Sequence, residues 1–465
     1  MGENQIDPKG DIMLRAQRID ATQGNIVRMI VLYTVPLILS TLVQSLFNAV
    51  DIVVLGNMAD SNAVASVGAT TSIISLIVNT FVGLSSGTKV VLARQIGARD
   101  EEQIRKTVDT SLLSAVGFGA LVAVVGVIFA PLFLDWTSCP SECYAGALLY
   151  IRIYVCAAPA ILLYNYGSAV LSAAGDTQRP LYYILCCGLL NAVLNIILCL
   201  LLPQKVVAVA IATIAAQMLG AVLVFGRLCR MEGLGRVEVS KMRWNLSAFG
   251  KLMRFGVPIA LSSSLYPLAT LQIQSAVNLH GVSAIAGSSA AATIQNFSAA
   301  FSSSFGTTTT AFIGQNLGAQ KHDRVKRSFS HCLWMSTASG GTIGVFLYLT
   351  GRFWLSLIVP DDPVAVDYGM IRMFYVTLFW FITCINGVIS HATQAYGYSL
   401  ICTVNSIVCV FGFRIFWMVF IYPYFGTFDM LMACFLVSWT LVLLVNIVTF
   451  LIVYNRYRKG KYKKI

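Results

Sequence analysis

The side chain with the most chemistry to offer is Asp51, the one carboxylate in the long apolar stretch 26–55. An ionisable group inside hydrocarbon is costly and marks a functional position by default. A carboxylate there can take up and release a proton, or hold a hard cation such as Na⁺ through its oxygens. Gln44 and Asn48 stand four apart on one helical face, and Asp51 follows three further on, so two amides and a carboxylate would line the same side of a cavity. Asn165 and Tyr166 interrupt a later apolar run and are further candidates for that cavity. Pro36 lies inside the first run, where it removes a backbone hydrogen bond and weakens the helix. A hinge at Pro36 would let a change of charge at Asp51 reshape the surrounding bundle.

These residues need a scaffold, and the composition says which kind. The chain has 465 residues, 57% hydrophobic and only 11% charged, with mean hydropathy +0.75. Soluble domains carry about 25% charged residues, and lipid admits only helices or closed barrels as spanning structures. The apolar runs are too long for barrel strands. Twelve helical spans are expected, at 26–55, 63–92, 110–134, 147–173, 181–202, 205–230, 251–279, 284–312, 328–359, 366–396, 401–422 and 428–455. Residues 1–25 are polar, and the first apolar run is too long for the core of a signal peptide.

A net charge of +12 could suggest nucleic acid, but its distribution excludes that partner. With the N-terminus inside, most Lys and Arg fall in the N-terminal tail, around Arg94–Lys106, at Arg179, through Arg227–Arg254, at Lys321–Arg327 and in the tail from Arg456. The opposite loops hold Asp135, Glu142, Asp361, Asp362, Asp367 and Asp429. This is the positive-inside pattern, and an even number of spans returns the C-terminus to the cytoplasm. Four scattered histidines and the absence of phosphate-loop or metal-ligand spacings give no enzyme signal. Two of the 12 cysteines, Cys139 and Cys143, lie in an external connection, and the sequence leaves their pairing open. In the second half, Arg372, His391 and Arg414 lie in or near the bilayer and read as structural, hydrogen-bonded groups.

The chain also repeats itself. Val35-Pro36 recurs as Val257-Pro258, Ala63-Val-Ala65 as Ala284-Ile-Ala286, Ile96-Gly-Ala98 as Leu317-Gly-Ala319, and Gly175-Asp-Thr177 as Gly397-Tyr-Ser399. Each half holds six spans with the same orientation, so an axis along the membrane normal should relate them. The expected organisation is a tail at 1–25, an N-lobe at 26–230, a linker at 231–250, a C-lobe at 251–455 and a basic tail at 456–465. Two similar bundles with a cleft between them suit alternating access. The repeat is not chemically symmetric: Asp51 corresponds to Ile273.

On these residues the chain resembles the multidrug and toxic compound extrusion (MATE) family, nearest its DinF-like bacterial branch, over about 26–455. The marks are Pro36, Phe47-Asn-Ala-Val-Asp51 with Gly56, Gln95-Ile-Gly-Ala98, Ala174-Gly-Asp-Thr177, Gln315-Asn-Leu-Gly-Ala319 and Gly412-Phe-Arg414, in that order. The resemblance implies an all-α integral membrane protein whose two pseudo-symmetric six-helix lobes form a V-shaped cleft. It implies export of cationic, amphipathic compounds in exchange for H⁺ or Na⁺ from a monomer in the cytoplasmic membrane, with no other cofactor. It also implies a cation site of Asp51, Asn195 and Thr213, with Cys199 where the family has a second Asp. Losing that carboxylate removes a hard ligand, which favours H⁺ over Na⁺. Two rival readings stand beside this one: a lipid-linked oligosaccharide flippase of the same superfamily, which needs a strongly cationic cavity, and a non-transporting membrane receptor, which needs an output domain.

Overall fold

The computed structural model describes residues 19–58, 61–137, 139–231 and 235–460, with the side chains at 48–53, 55, 57, 58, 61, 62, 266 and 271 outside that description. Among the described residues there are twelve long helical rods. In the first half these are α1 (Ile26–Met58), α2 (Ser61–Ala98), α3 (Glu101–Trp136), α4 (Ser141–Cys156 and Ala158–Ala173), α5 (Gln178–Leu201) and α6 (Lys205–Cys229). In the second half they are α7 (Leu246–Asn278), α8 (Val282–Gly318), α9 (His322–Leu349, then Gly351–Ile358), α10 (Pro363–Ala395), α11 (Ser399–Phe425) and α12 (Phe428–Arg458). Side chains set several starts. Asp100 accepts from the Gln103 amide at 3.1 Å and Asn245 from the Ala248 amide at 2.9 Å, satisfying donors that a helix N-terminus leaves open.

Among the described residues, nine helices are long and apolar enough to cross a membrane on their own, ten counting the two parts of α4 as one span. α8 is rich in Ser, Thr, Ala and Gly and has an almost continuous run of buried residues. It is wrapped by α2, α9 and α10, so it presents little surface to lipid and can be long without being strongly apolar. The fourth span, expected at 147–173, begins at Ser141 and bends by 48° at its break. Pro159 begins its second part, and Gly119 of α3 packs so close that a Cβ there would lie 2.3 Å from the Pro159 Cα. A proline and a close neighbour are sufficient cause for the kink. The ninth span also breaks, at Thr350. π-helical turns interrupt α10 at Met373–Leu378 and α11 at Ile407–Gly412 and Trp417–Ile421. α1, by contrast, passes through Pro36 as one continuous helix.

The first six rods form one bundle, whose core packs Ile161, Leu162, Tyr166 and Val170 of α4 against Leu112 of α3 and Val224 of α6. The last six form a second, with Trp380 of α10 against Phe435 and Trp439 of α12. The bundles meet along one half of their length, at the end that carries the Arg94–Lys106 and Lys321–Arg327 segments. Small residues let the backbones touch there. A Cβ on Gly97 of α2 would sit 1.9 Å from the Gln315 carbonyl oxygen of α8, and one on Gly318 would sit 2.0 Å from the Arg94 carbonyl. Gly87 of α2 meets Gly256 of α7. Its repeat equivalent is the Thr34–Thr308 hydroxyl pair at 2.8 Å between α1 and α8. The same contact made twice is the structural signature of the repeat.

A strap, Ile19–Asn25, closes this end. The Ile19 amide donates to the Gly175 carbonyl at 3.1 Å, and a side chain on Gly175, whose φ is +86°, would strike the strap. The Ala21 amide donates to Gln315 Oε1 at 3.0 Å, and Gln315 Nε2 donates to the Ala173 carbonyl at 2.8 Å. Asn316, Lys321 and Arg324 donate to strap carbonyls from the C-lobe side. The cleft therefore opens toward the opposite end.

Candidate functional site

The N-lobe site is built on α1, α5 and α6. Asn191 and Asn195 are four apart on α5 and both are buried, so they face inward together. Asn195 Nδ2 donates to Asn191 Oδ1 at 3.2 Å, and Asn191 Nδ2 approaches Thr213 Oγ1 of α6 at 3.5 Å. Thr213 in turn donates to the Val209 carbonyl at 2.9 Å. The result is a short relay of amides and a hydroxyl, with carbonyl-type oxygens that can accept a proton's hydrogen bond or ligate a cation. Phe47 of α1 rests on Gly188 of α5, where a Cβ would meet the ring at 1.9 Å. One helical turn further, the backbone of Asp51 comes level with Asn191 and Asn195. The side chains of Asp51 and Asn48 lie outside the described residues.

The other expected site residues are spread out. Cys199 continues the Asn191–Asn195 face by one more turn but packs in an apolar cluster with Ala63, Tyr150 and Val206. Lys205 Nζ there donates to the Cys199 and Leu202 carbonyls at 2.5 and 3.0 Å. Tyr166 is fully buried in the N-lobe core rather than facing a cavity. Asn165 turns back on its own helix, donating to the Ile161 carbonyl at 2.8 Å. Gln44 is exposed on α1. Cys139 and Cys143 are free thiols with their sulfurs 3.8 Å apart.

The C-lobe holds its own cavity, of 330 Å³, between α7, α8, α10, α11 and α12. Ser262, Ser302, Asn386, His391, Trp380 and Trp439 are among its walls. His391 Nδ1 lies 3.0 Å from Thr310 Oγ1, and its ring covers Gly306. Lys89, half-buried on α2, is the one charged residue of the second apolar run. Deeper, Arg414 stacks on the Phe435 ring at 4.4 Å and Arg372 on the same ring at 5.7 Å. Arg414 also donates to Ser438 and Arg372 to Ser288. Asn191 and Lys89 are the residues sequence reasoning missed. A second amide four before Asn195 was the available signal for one, and a lone ammonium in the second apolar run for the other.

Two repeat-built helical bundles that close at one end around a cleft, with polar groups buried inside them, define the architecture of a secondary membrane transporter. The MatE family profile matches residues 36–197 and 258–420, one copy in each half. The chain belongs to the MatE family. It is 26% identical over 83% of its length to a probable multidrug resistance protein of Bacillus subtilis, YoeA, covering 85% of that protein. It is 23% identical over 81% of its length to a second from the same organism, YpnP, covering 84% of it. The fold superposes with TM-score 0.85 on an outward-facing MATE transporter of the MOP superfamily, at 18% identity over 96% of this chain and 100% of the other.

Proposed function

We propose that this protein is a multidrug antiporter of the DinF-like bacterial branch. It exports cationic, amphipathic organic compounds across the cytoplasmic membrane by alternating access, in exchange for H⁺ rather than Na⁺. Both termini are cytoplasmic, the lobes divide at the 231–250 linker, and a monomer suffices. The relatives named as multidrug resistance proteins support the substrate class, and the positive-inside charge pattern supports the orientation.

The observation that carries the coupling assignment is the buried Asn195–Asn191–Thr213 chain at the level of Asp51. Asp51 is the charge carrier, and the amides orient its proton or hold its cation. With Cys199 withdrawn into an apolar cluster, the site has one carboxylate, which is enough for a proton and poor for Na⁺. Pro36 is the flexible point of α1 about which the N-lobe rearranges.

The test is efflux of ethidium from proteoliposomes under separate H⁺ and Na⁺ gradients. Wild type should respond to the H⁺ gradient and Asp51→Asn should not. Gradient-driven efflux unchanged in Asp51→Asn would sink the coupling role. Na⁺ dependence gained by Cys199→Asp would show that position 199 does lie within reach of the site.

A further inference from the structure

The C-lobe carries a chain of amides that ends at its cavity, and the bonds fix the direction of that chain. Thr449 of α12 donates its one hydroxyl proton to the Val445 carbonyl at 2.8 Å, so toward its other neighbours its oxygen can only accept. It accepts from Asn405 Nδ2 of α11 at 3.0 Å, and the same Nδ2 donates to Asn446 Oδ1 of α12 at 2.8 Å. Asn446 Nδ2 then donates to Asn386 Oδ1 of α10 at 2.8 Å. An amide has one oxygen and one NH₂ group, so fixing the first in the chain fixes the rest. Asn386 lines the cavity, and among the described residues its Nδ2 donors are unspent.

The hydroxyls around the cavity are committed the other way. Ser262 donates to Thr403 Oγ1 at 3.0 Å, Thr383 to the Trp380 carbonyl at 2.6 Å and Ser406 to the Cys402 carbonyl at 3.0 Å. They therefore offer lone pairs. Among the described residues the lining has no Asp, Glu, Lys or Arg. A charged group entering such a space loses its hydration and gains no ion partner, whereas an uncharged polar group needs only hydrogen bonds. The volume of 330 Å³ falls within the range of small-molecule sites, about 300–1,000 Å³. Trp380 and Trp439 pack edge to face at 5.4 Å and, with Phe411, give the cavity aromatic walls. Trp380 and Asn386 are six residues apart on the regular part of α10, so their levels differ by about 9 Å, a span that a fused two-ring system bridges. Phe411 and Val410 sit on the π-helical turn of α11, a distortion frequent at functional sites.

We propose that the C-lobe cavity is a substrate subsite for uncharged two-ring aromatic compounds, whose carbonyl or ring nitrogen accepts from Asn386 Nδ2 and whose N–H or O–H donates to the serine and threonine hydroxyls. The Trp and Phe side chains receive the ring system. The transporter then handles neutral heteroaromatic compounds as well as cationic ones, and the neutral class is selected in the lobe that does not carry Asp51. The proposal rests on the transporter reading but not on the coupling role of Asp51.

The test uses the full chain in lipid nanodiscs, with empty nanodiscs as reference, and measures dye binding by fluorescence anisotropy without any ion gradient. The dyes are aminomethylcoumarin, which is neutral, and its carboxymethyl derivative, which is an anion at neutral pH. Wild type should bind the neutral dye saturably and about tenfold or more tightly than the anion, since a charge left without a partner is costly to bury. A Cβ on Gly387, in the cavity wall, would meet the Ser302 hydroxyl at 3.3 Å and the Ser302 carbonyl at 3.9 Å. The hydroxyl can rotate aside, so α10 admits Gly387→Leu while the new side chain fills the cavity, and saturable binding of the neutral dye should be lost. Asn386→Ala should weaken the neutral dye several-fold, about the effect of losing one donor. Both variants are read as folded, monodisperse protein, and the comparison of the two dyes on wild type needs neither. No saturable binding of the neutral dye by wild type, equal affinity for the two dyes, or unchanged affinity in Gly387→Leu or Asn386→Ala would overturn the proposal. Gradient-driven ethidium efflux is read separately, so failure of the antiport reading and failure of the subsite are distinguishable.

Discussion

Gln315 is the residue whose removal should move the whole molecule. Its side chain bonds the strap at the Ala21 amide and the N-lobe at the Ala173 carbonyl, although it belongs to α8 of the C-lobe. Both bonds are buried and both join parts that separate when this end opens. Each is worth about 1 kcal/mol net, and stranding a buried partner adds to that, so Gln315→Ala should destabilise the closed end by about 2 kcal/mol or more. In the opened arrangement the same amide and carbonyl face water, so the loss falls on one state alone, which is the condition for shifting a population. At 1.4 kcal/mol per decade, the ratio of opened to closed molecules should rise roughly thirtyfold. Spin labels at Glu102 and Lys326, in the repeat-related α3 and α9 starts, would report it in a cysteine-depleted background as growth of a longer-distance population in pulsed dipolar spectra. A distance distribution that stays unchanged in folded, monodisperse Gln315→Ala protein would refute the idea that this glutamine latches the closed end.

Two other expectations follow from the same geometry. Gly97→Leu places a Cβ 1.9 Å from the Gln315 carbonyl oxygen, and overpacking of this kind costs about 1–3 kcal/mol. It should open the same end in the same assay, whereas Gly117→Leu, which meets nothing within 4 Å, should leave the distances as they are. At the far end, burial and then the neighbouring Cys143 thiol hold the Cys139 thiol above the ordinary thiol range. The thiolate should therefore form only at higher pH than in a free cysteine. Maleimide labelling of Cys139 followed against pH should show a raised midpoint, and Cys143→Ser should lower it part of the way. A midpoint at or below the ordinary thiol value would contradict this.

Much of the fold could be read from the residues because lipid narrows the choices. A backbone that cannot bond to water must be helical, so run length sets the rods and the Val-Pro and Gly-Ala repeats set their pairing. What escaped reading has a physical reason in each case. The break in α4 is hidden because Ala157-Ala-Pro159 keeps the apolar run unbroken. The strap is hidden because its bonds use backbone groups, which every sequence has, with Gln315, Asn316, Lys321 and Arg324 as their side-chain partners. Gly175 reads as a turn residue, and it is one, yet the approach of Ile19 adds a second demand for the missing side chain. Tyr166 is polar by type but its position on α4 puts it in the core, and helical periodicity alone cannot say which buried face borders a cavity.

The repeat makes the division of labour between the lobes concrete. In the register that aligns Gly175 with Gly397, Asn191, Asn195 and Thr213 fall on Phe413, Trp417 and Phe435. The same backbone positions carry a hydrogen-bonded polar chain in one lobe and an aromatic cluster bearing the Arg414 guanidinium in the other. Ala192, which is half-buried, stands where that arginine stands. In the register that aligns Ala63 with Ala284, Lys89 falls on Thr310, whose hydroxyl lies 3.0 Å from His391 Nδ1. Paired halves with identical roles would keep matching side chains at these positions. Here they have exchanged amide and hydroxyl oxygens for π faces and a guanidinium, so the two halves cannot perform the same chemistry at these positions.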